Sequence, residues 1–244
     1  MKKRLLSIVL VVLGLFILTG CNKEARESAL SFKEEYESVN DKVMKGDIKY
    51  RVLNISEENP YVKVEPKEIV EKINNKETFY LYVGDPLCPW CRSGLEKMIE
   101  VAINNNIENI YYIDFWDDDH NEILRDLYDI KTTTKKVKKK KVTETKVVKT
   151  QDATPEYLEI LKAVSDFAQD YTFDKDGKTY KVNEKRIYGG DHFYFENGVC
   201  KKYVSLRSSK MEKSIDELTD VILKDQEDTF TKFFENSACT KGSC

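Results

Sequence analysis

Two cysteines separated by a proline and a tryptophan, Cys88-Pro89-Trp90-Cys91, are the residues of this chain whose types and spacing best suit covalent chemistry. A thiolate attacks a disulfide sulfur to give a mixed disulfide, and a second thiol within reach resolves it. Two intervening residues place both sulfurs on one helical turn. The start of a helix favours a thiolate, because unpaired N–H groups and the helix dipole meet the negative charge there. Pro89 suits such a turn, since its ring fixes φ and it has no N–H to satisfy. On this reading Cys88 attacks and Cys91 resolves. A single CxxC has two rival readings: half of a zinc site completed by Cys239 and Cys244, or a static disulfide. A Pro-aromatic pair between strand and helix is unusual for a zinc knuckle. The redox reading therefore leads, with no metal and no organic cofactor expected.

The surrounding elements must place that turn. Phe79–Val83 is a continuous apolar run ending in Gly84-Asp85-Pro86, which reads as a buried strand and a turn. Leu95, Met98, Ile99, Val101 and Ala102 mark a helix behind the cysteines, and Ile110–Ile113 a further strand. Strand, turn, helix and strand in this order predict a parallel βαβ unit. Upstream, Val62 and Val64 suggest a short strand, and Pro66 opens a helix with Ile69, Val70 and Ile73 on one face. Leu30, Phe32, Tyr36, Val39 and Val43 lie at roughly helical spacing in a charged segment, read as a helix or tether. Downstream, Thr154-Pro155-Glu156 starts a helix with Tyr157, Leu158, Leu161, Val164 and Phe167 on its apolar side. Asp117-Asp118-Asp119 reads as the acidic start of a helix. The turns Asp174–Gly177 and Glu196-Asn197-Gly198 predict two hairpins. Ile215, Leu218, Val221, Ile222, Phe230, Phe233 and Phe234 mark a C-terminal helix.

The chain has 244 residues and a formal net charge of -3, so it is not a generic nucleic-acid binder. Fourteen Tyr and eleven Phe supply core material that disordered chains lack. Two His are few for a His-based metal site. Residues 131–150 hold nine lysines. These read as a solvated edge hairpin, with a patch for anionic lipid or teichoic polymers as the alternative.

Lys2, Lys3 and Arg4 precede an apolar stretch from Leu5 to Leu18, which is too short for a membrane span and the right length for a secretory leader. Leu18-Thr19-Gly20-Cys21 resembles the bacterial lipobox. That resemblance implies cleavage of residues 1–20, a lipid on Cys21 and a place on the outer face of the cell membrane, where disulfides persist.

Together with Tyr82–Cys91, Tyr112-Ile113-Asp114, Val147–Thr150 and Lys185–Tyr188, these features make residues 65–235 resemble the thioredoxin superfamily. More narrowly, the chain resembles thioredoxin-like lipoproteins of Gram-positive bacteria, including those described as bacteriocin-transport accessory-like. The resemblance implies an α/β fold, a thioredoxin-like mixed sheet of four or five strands flanked by helices, with the lysine-rich segment as an insertion. It also implies thiol–disulfide exchange with cysteine-containing exported proteins or peptides and with a redox partner protein. The chain then divides into a leader (1–20), a tether and N-terminal helical segment (21–64), a thioredoxin-like domain (65–236) and a Cys-containing tail (237–244). Gly189, Gly190 and Asp191 match the family's substrate loop, with Gly190 where a cis-proline is usual. Tyr82 stands where many members carry a buried acid. The Gly190 departure is the main support for a second reading, a docking lipoprotein for secretion or peptide export with a static disulfide. Cys239 and Cys244 are expected to close a structural disulfide, with a relay pair or separate thiols as alternatives. Cys200 is expected to be a buried apolar residue. His192 is expected to be a strand histidine with a satisfied partner, or else a group that tunes Cys88. Trp90 is a docking surface or a partly exposed ring.

Overall fold

A computed structural model of the chain describes residues 25–117, 119–137, 140–235 and 237. The leader, Cys21, Asp118, Cys239 and Cys244 lie outside the described residues. The fold is mixed α/β. The described residues form five helices: α1 over residues 25–37, α2 at Pro66–Asn74, α3 at Pro89–Asn104, α4 at Pro155–Ala163 and α5 at Asp220–Phe234. The strands are β1 (Val43–Lys45), β2 (Ile48–Lys49), β3 (Tyr61–Lys63), β4 (Phe79–Gly84), β5 (Ile110–Asp114), β6 (Leu127–Val137), β7 (Lys140–Gln151), β8 (Gln169–Lys175), β9 (Lys178–Arg186), β10 (Asp191–Glu196) and β11 (Val199–Ser205). A five-stranded mixed sheet has the order β11-β10-β4-β5-β3, and β1-β2, β6-β7 and β8-β9 are separate two-stranded ribbons. No described helix is long and apolar enough to cross a membrane.

The chain forms two compact units. The first comprises the chain up to Lys63, Pro86–Tyr112 and the chain from Leu206. In it α1 buries Ala29, Phe32 and Tyr36 at helical spacing. Phe32 stacks on Tyr61 at 4.3 Å between ring centroids and meets Tyr112 edge-on at 5.3 Å. β3 runs parallel to β5, from Tyr61↔Ile110 to Lys63↔Tyr112. Of the segment that reads as a helix or tether, residues 25–37 are a packed helix, whereas Val43 lies in β1 and is exposed, which corrects its place on the helical face. α3 lies against the α5 side of this unit at Gly94, where an added Cβ would sit 2.3 Å from the Leu206 carbonyl oxygen.

The second unit comprises Val64–Asp85 and Ile113–Ser205. β4 is buried along its whole length, and β10 pairs with it antiparallel. Cross-strand rings stack in sequence: Phe79 on Phe195 at 4.7 Å, Tyr80 near Tyr194 at 5.1 Å and Tyr82 on His192 at 4.4 Å. The β10–β11 hairpin turns at Asn197-Gly198 with positive φ at both residues, as its sequence predicts. Pro66 opens α2 behind a Glu65–Glu68 capping box, and the Thr154 hydroxyl accepts the Tyr157 N–H at the start of α4. This unit also buries two arginines around one carboxylate. Glu122 Oε2 accepts from Arg125 Nε at 2.7 Å and from Arg186 Nη2 at 3.5 Å, and the guanidiniums lie over Phe115 and Tyr171.

Three further sequence expectations are corrected. No helix begins at Asp117. Its carboxylate instead accepts the Asn121 N–H in a tight loop closed by the Trp116–Glu122 bridge. Leu158 is exposed, and Ile160 takes the core position of α4 beside Tyr157. Ile215 is exposed because α5 begins only at Asp220, and Val221 is exposed on the face of α5 opposite the buried Ile222, Phe230, Phe233 and Phe234.

Candidate active site

Cys88 is the N-cap of α3, and Pro89 is its first helical residue. The Cys88 Sγ accepts the Cys91 backbone N–H at 3.2 Å, so the sulfur occupies the place a capping oxygen usually holds. The first turn of α3 holds no acidic residue. Cys88 is half-buried, while Cys91 is fully buried one turn on. The outer sulfur is thus the one an incoming disulfide can reach. Burial pushes the Tyr61 phenol well above its ordinary range, and the charge of Cys91 adds to the shift.

The residue after the motif anchors it. Arg92 is 1% exposed and uses all five of its N–H donors. Nε and Nη2 donate to the Arg51 carbonyl (2.9 and 2.7 Å), and Nη1 to the Tyr36 and Pro86 carbonyls (2.8 and 3.2 Å). Nη2 also donates to Asn40 Oδ1 at 2.6 Å. Burial lowers the Arg92 pKa, and the acidic groups of Tyr36, Tyr50, Glu96 and Cys91 act against that shift. Arg92 thereby ties the first turn of α3 to the chain that leaves α1 and to the loop that precedes Cys88. A second tie runs to α5, where Gln226 Nε2 donates to the Ser93 carbonyl at 2.9 Å. Trp90 is half-buried with the Arg207 guanidinium 4.5 Å from its ring centroid, so it is neither a bare surface ring nor a core residue.

The segment that matches a substrate loop is described within the second unit. Gly189 and Gly190 form a turn, the Gly190 N–H donates to the Val83 carbonyl at 2.9 Å, and Gly190 has φ +97. A proline cannot take that φ, and other L-residues are strained there. The described chain contains no cis peptide bond. Asp191 is buried, accepts the Tyr188 N–H and the Tyr203 hydroxyl at 3.0 Å each, and burial pushes its pKa up to about 6. His192 is fully buried on Tyr82, and burial pushes its pKa down to about 3, so it is neutral and has no imidazolium to offer a thiolate. Tyr82 is a sheet core residue. Gly84 is a glycine because an added Cβ would lie 2.2 Å from the Tyr82 hydroxyl. Cys200 is half-buried, and burial pushes its thiol up to about 12, which leaves it unreactive.

Compared with protein-family models, with curated proteins and with solved structures, the chain finds no match. The structure brings Cys88, Pro89, Trp90 and Cys91 into one turn, and Gly189, Gly190 and Asp191 into another. Among the described residues, no group of three or more His, Cys, Asp or Glu is gathered as a metal would need. Arg92, Arg207 and Gln226 escaped the sequence reading. Arg92 bonds chiefly to backbone carbonyls, which leave no mark on residue type. The cation over Trp90 comes from a residue 117 positions further along the chain.

Proposed function

We propose that the chain is a thioredoxin-like, membrane-tethered thiol–disulfide oxidoreductase acting outside the cytoplasm on cysteines of exported proteins or peptides. The observation that carries this reading is the half-buried Cys88 sulfur capping α3 through the Cys91 N–H, with Cys91 buried one turn behind. The order β11-β10-β4-β5-β3, with the cysteine helix following the central β4, supports the thioredoxin-like reading of the fold. The Cys88 thiolate attacks one sulfur of a substrate disulfide, forms a mixed disulfide and releases the other sulfur as a thiolate. Cys91, deprotonated, then attacks the Cys88 sulfur. The intramolecular disulfide forms, the second substrate thiolate leaves, and two electrons have passed from the dithiol to the substrate. Run in reverse, the same steps oxidise a substrate dithiol. A separate redox partner protein restores the pair. The lipid on Cys21 would hold the enzyme at the outer face of the membrane.

Gly190 at φ +97 favours a second reading, a docking lipoprotein whose cysteines do no exchange. One pair of variants separates the two. Cys91→Ser should accumulate a mixed disulfide between Cys88 and a model peptide disulfide, detected by mass. Cys88→Ser should bring insulin-disulfide reduction down to the uncatalysed rate. A docking protein would form no adduct and would show no activity to lose.

A further inference from the structure

We propose that the β6–β7 ribbon is a membrane-contact surface that binds the phosphate headgroups of an anionic bilayer. The ribbon pairs from Leu127↔Gln151 to Val137↔Lys140 and belongs to no larger sheet. Its root and its outer part differ in charge. At the root Lys149 lies among Asp126 (2.8 Å), Asp152 (3.7 Å) and Glu184 (3.8 Å), and Asp129 holds Lys175. Further out, Lys131 stands opposite Lys146 and Lys136 opposite Lys141. Lys146 has Glu144 at 3.1 Å. Among the described residues Lys131, Lys135, Lys136 and Lys141 make no ion pair, and all four are exposed. Like charges directly opposite each other destabilise a strand pair, and a two-stranded ribbon has no core to offset them.

Edge protection explains a lysine or two, but not two facing lysine pairs on a ribbon that belongs to no larger sheet. The two pairs project from opposite faces of the ribbon, Lys131 and Lys146 from one and Lys136 and Lys141 from the other, so a ribbon set among anionic headgroups turns both repulsions into attractions. The ribbon also leaves Val142 49% and Val147 38% exposed, with Val142 opposite Lys135. Apolar side chains interspersed with cations suit the headgroup boundary of a bilayer better than a soluble polyanion. The choice of a bilayer as occupant also rests on the lipid-tether reading of Cys21, and it is independent of the thiol chemistry.

The test uses the chain without its leader and with Cys21→Ser, which keeps every described residue and removes the lipid. It is sedimented with vesicles of phosphatidylglycerol and phosphatidylcholine, and with phosphatidylcholine alone. Binding should require phosphatidylglycerol and weaken as salt rises. Replacing Lys131, Lys135, Lys136 and Lys141 by Gln should lower partitioning about tenfold or more. The near-ultraviolet dichroism of that variant, which reports folding, should be unchanged. Equal binding by the four-lysine variant, equal binding to neutral vesicles, or no binding to anionic vesicles at low salt overturns the proposal. Binding to a soluble polyphosphate without binding to vesicles overturns the bilayer as occupant. The tether itself is read separately, from the mass of the N-terminal peptide of the membrane-extracted protein, so failure of one reading is distinct from failure of the other.

Discussion

The two units bury arginine with different chief partners. In the first, Arg92 gives all five donors to neutral acceptors, three backbone carbonyls and one asparagine oxygen. In the second, Arg125 and Arg186 share the carboxylate of Glu122, and each gives one further bond to a backbone carbonyl, of Ile187 and Asp126. An ion-paired cluster can often be exchanged for well-packed apolar side chains at little cost, because all its charges leave together. Arg92 has no such exchange. Its partners are main-chain carbonyls of Tyr36, Arg51 and Pro86, and no substitution removes them. The lesson is that a guanidinium serving as a backbone clamp is the less replaceable kind. Here it clamps the turn that carries the cysteines.

The comparison can be broken at its strongest point. Arg92→Ala strands several buried acceptors and should cost about 5 kcal/mol or more, read as a lowered urea midpoint. Arg92→Lys has three donors for five bonds and should still cost about 2 kcal/mol. If Arg92→Met were as stable as the parent, the clamp would be dispensable. In the second unit, Glu122→Gln leaves two buried cations without a counter-charge and should cost about 3–5 kcal/mol. An apolar replacement of Glu122, Arg125 and Arg186 together should recover the part of that loss due to unpaired charge, and not the part due to the Ile187 and Asp126 carbonyls it strands.

A smaller effect comes from two neighbours in β10 whose burial acts in opposite directions with pH. The native pKa of Asp191 is raised to about 6 from an unfolded value of about 3.9. The folded state then holds the extra proton between those values, so this residue's contribution falls as pH rises through the window. The native pKa of His192 is lowered to about 3 from about 6.5. There the unfolded state holds the extra proton, so its contribution rises with pH from about 3 to 6.5 and is lost in acid. Urea unfolding at a series of pH values between 3 and 7 should show a flatter acid limb for His192→Phe. Asp191→Asn should steepen the net rise towards neutrality. Identical profiles for parent and variants would contradict the burial of these two groups.

Much of the fold was legible because its signals are local. The apolar run Phe79–Val83 can only be a buried strand, Asn197-Gly198 asks for positive φ, and Pro66 and Thr154 mark helix starts. The cysteine turn was legible for the same reason, since Pro89 and the spacing of Cys88 and Cys91 define an N-terminal turn. What was not legible depends on partners distant in sequence. Arg92 looks like any helix-surface arginine until the carbonyls around it are known. Ile215 and Val221 have helical spacing yet face solvent, because the neighbours that decide burial are tertiary. Asp117 carries the residue type of a helix start, but Asn121 four positions on captures its carboxylate in a loop.

The central claim is that Cys88 and Cys91 form a working redox couple. A glutathione redox titration of the leaderless chain, with Cys239→Ser and Cys244→Ser to leave the pair isolated, tests it most directly. The account predicts a reversible two-electron transition within the range of thioredoxin-fold couples, roughly -270 to -120 mV. A pair that stays oxidised across the whole buffer range, or that never closes to a disulfide, would contradict it.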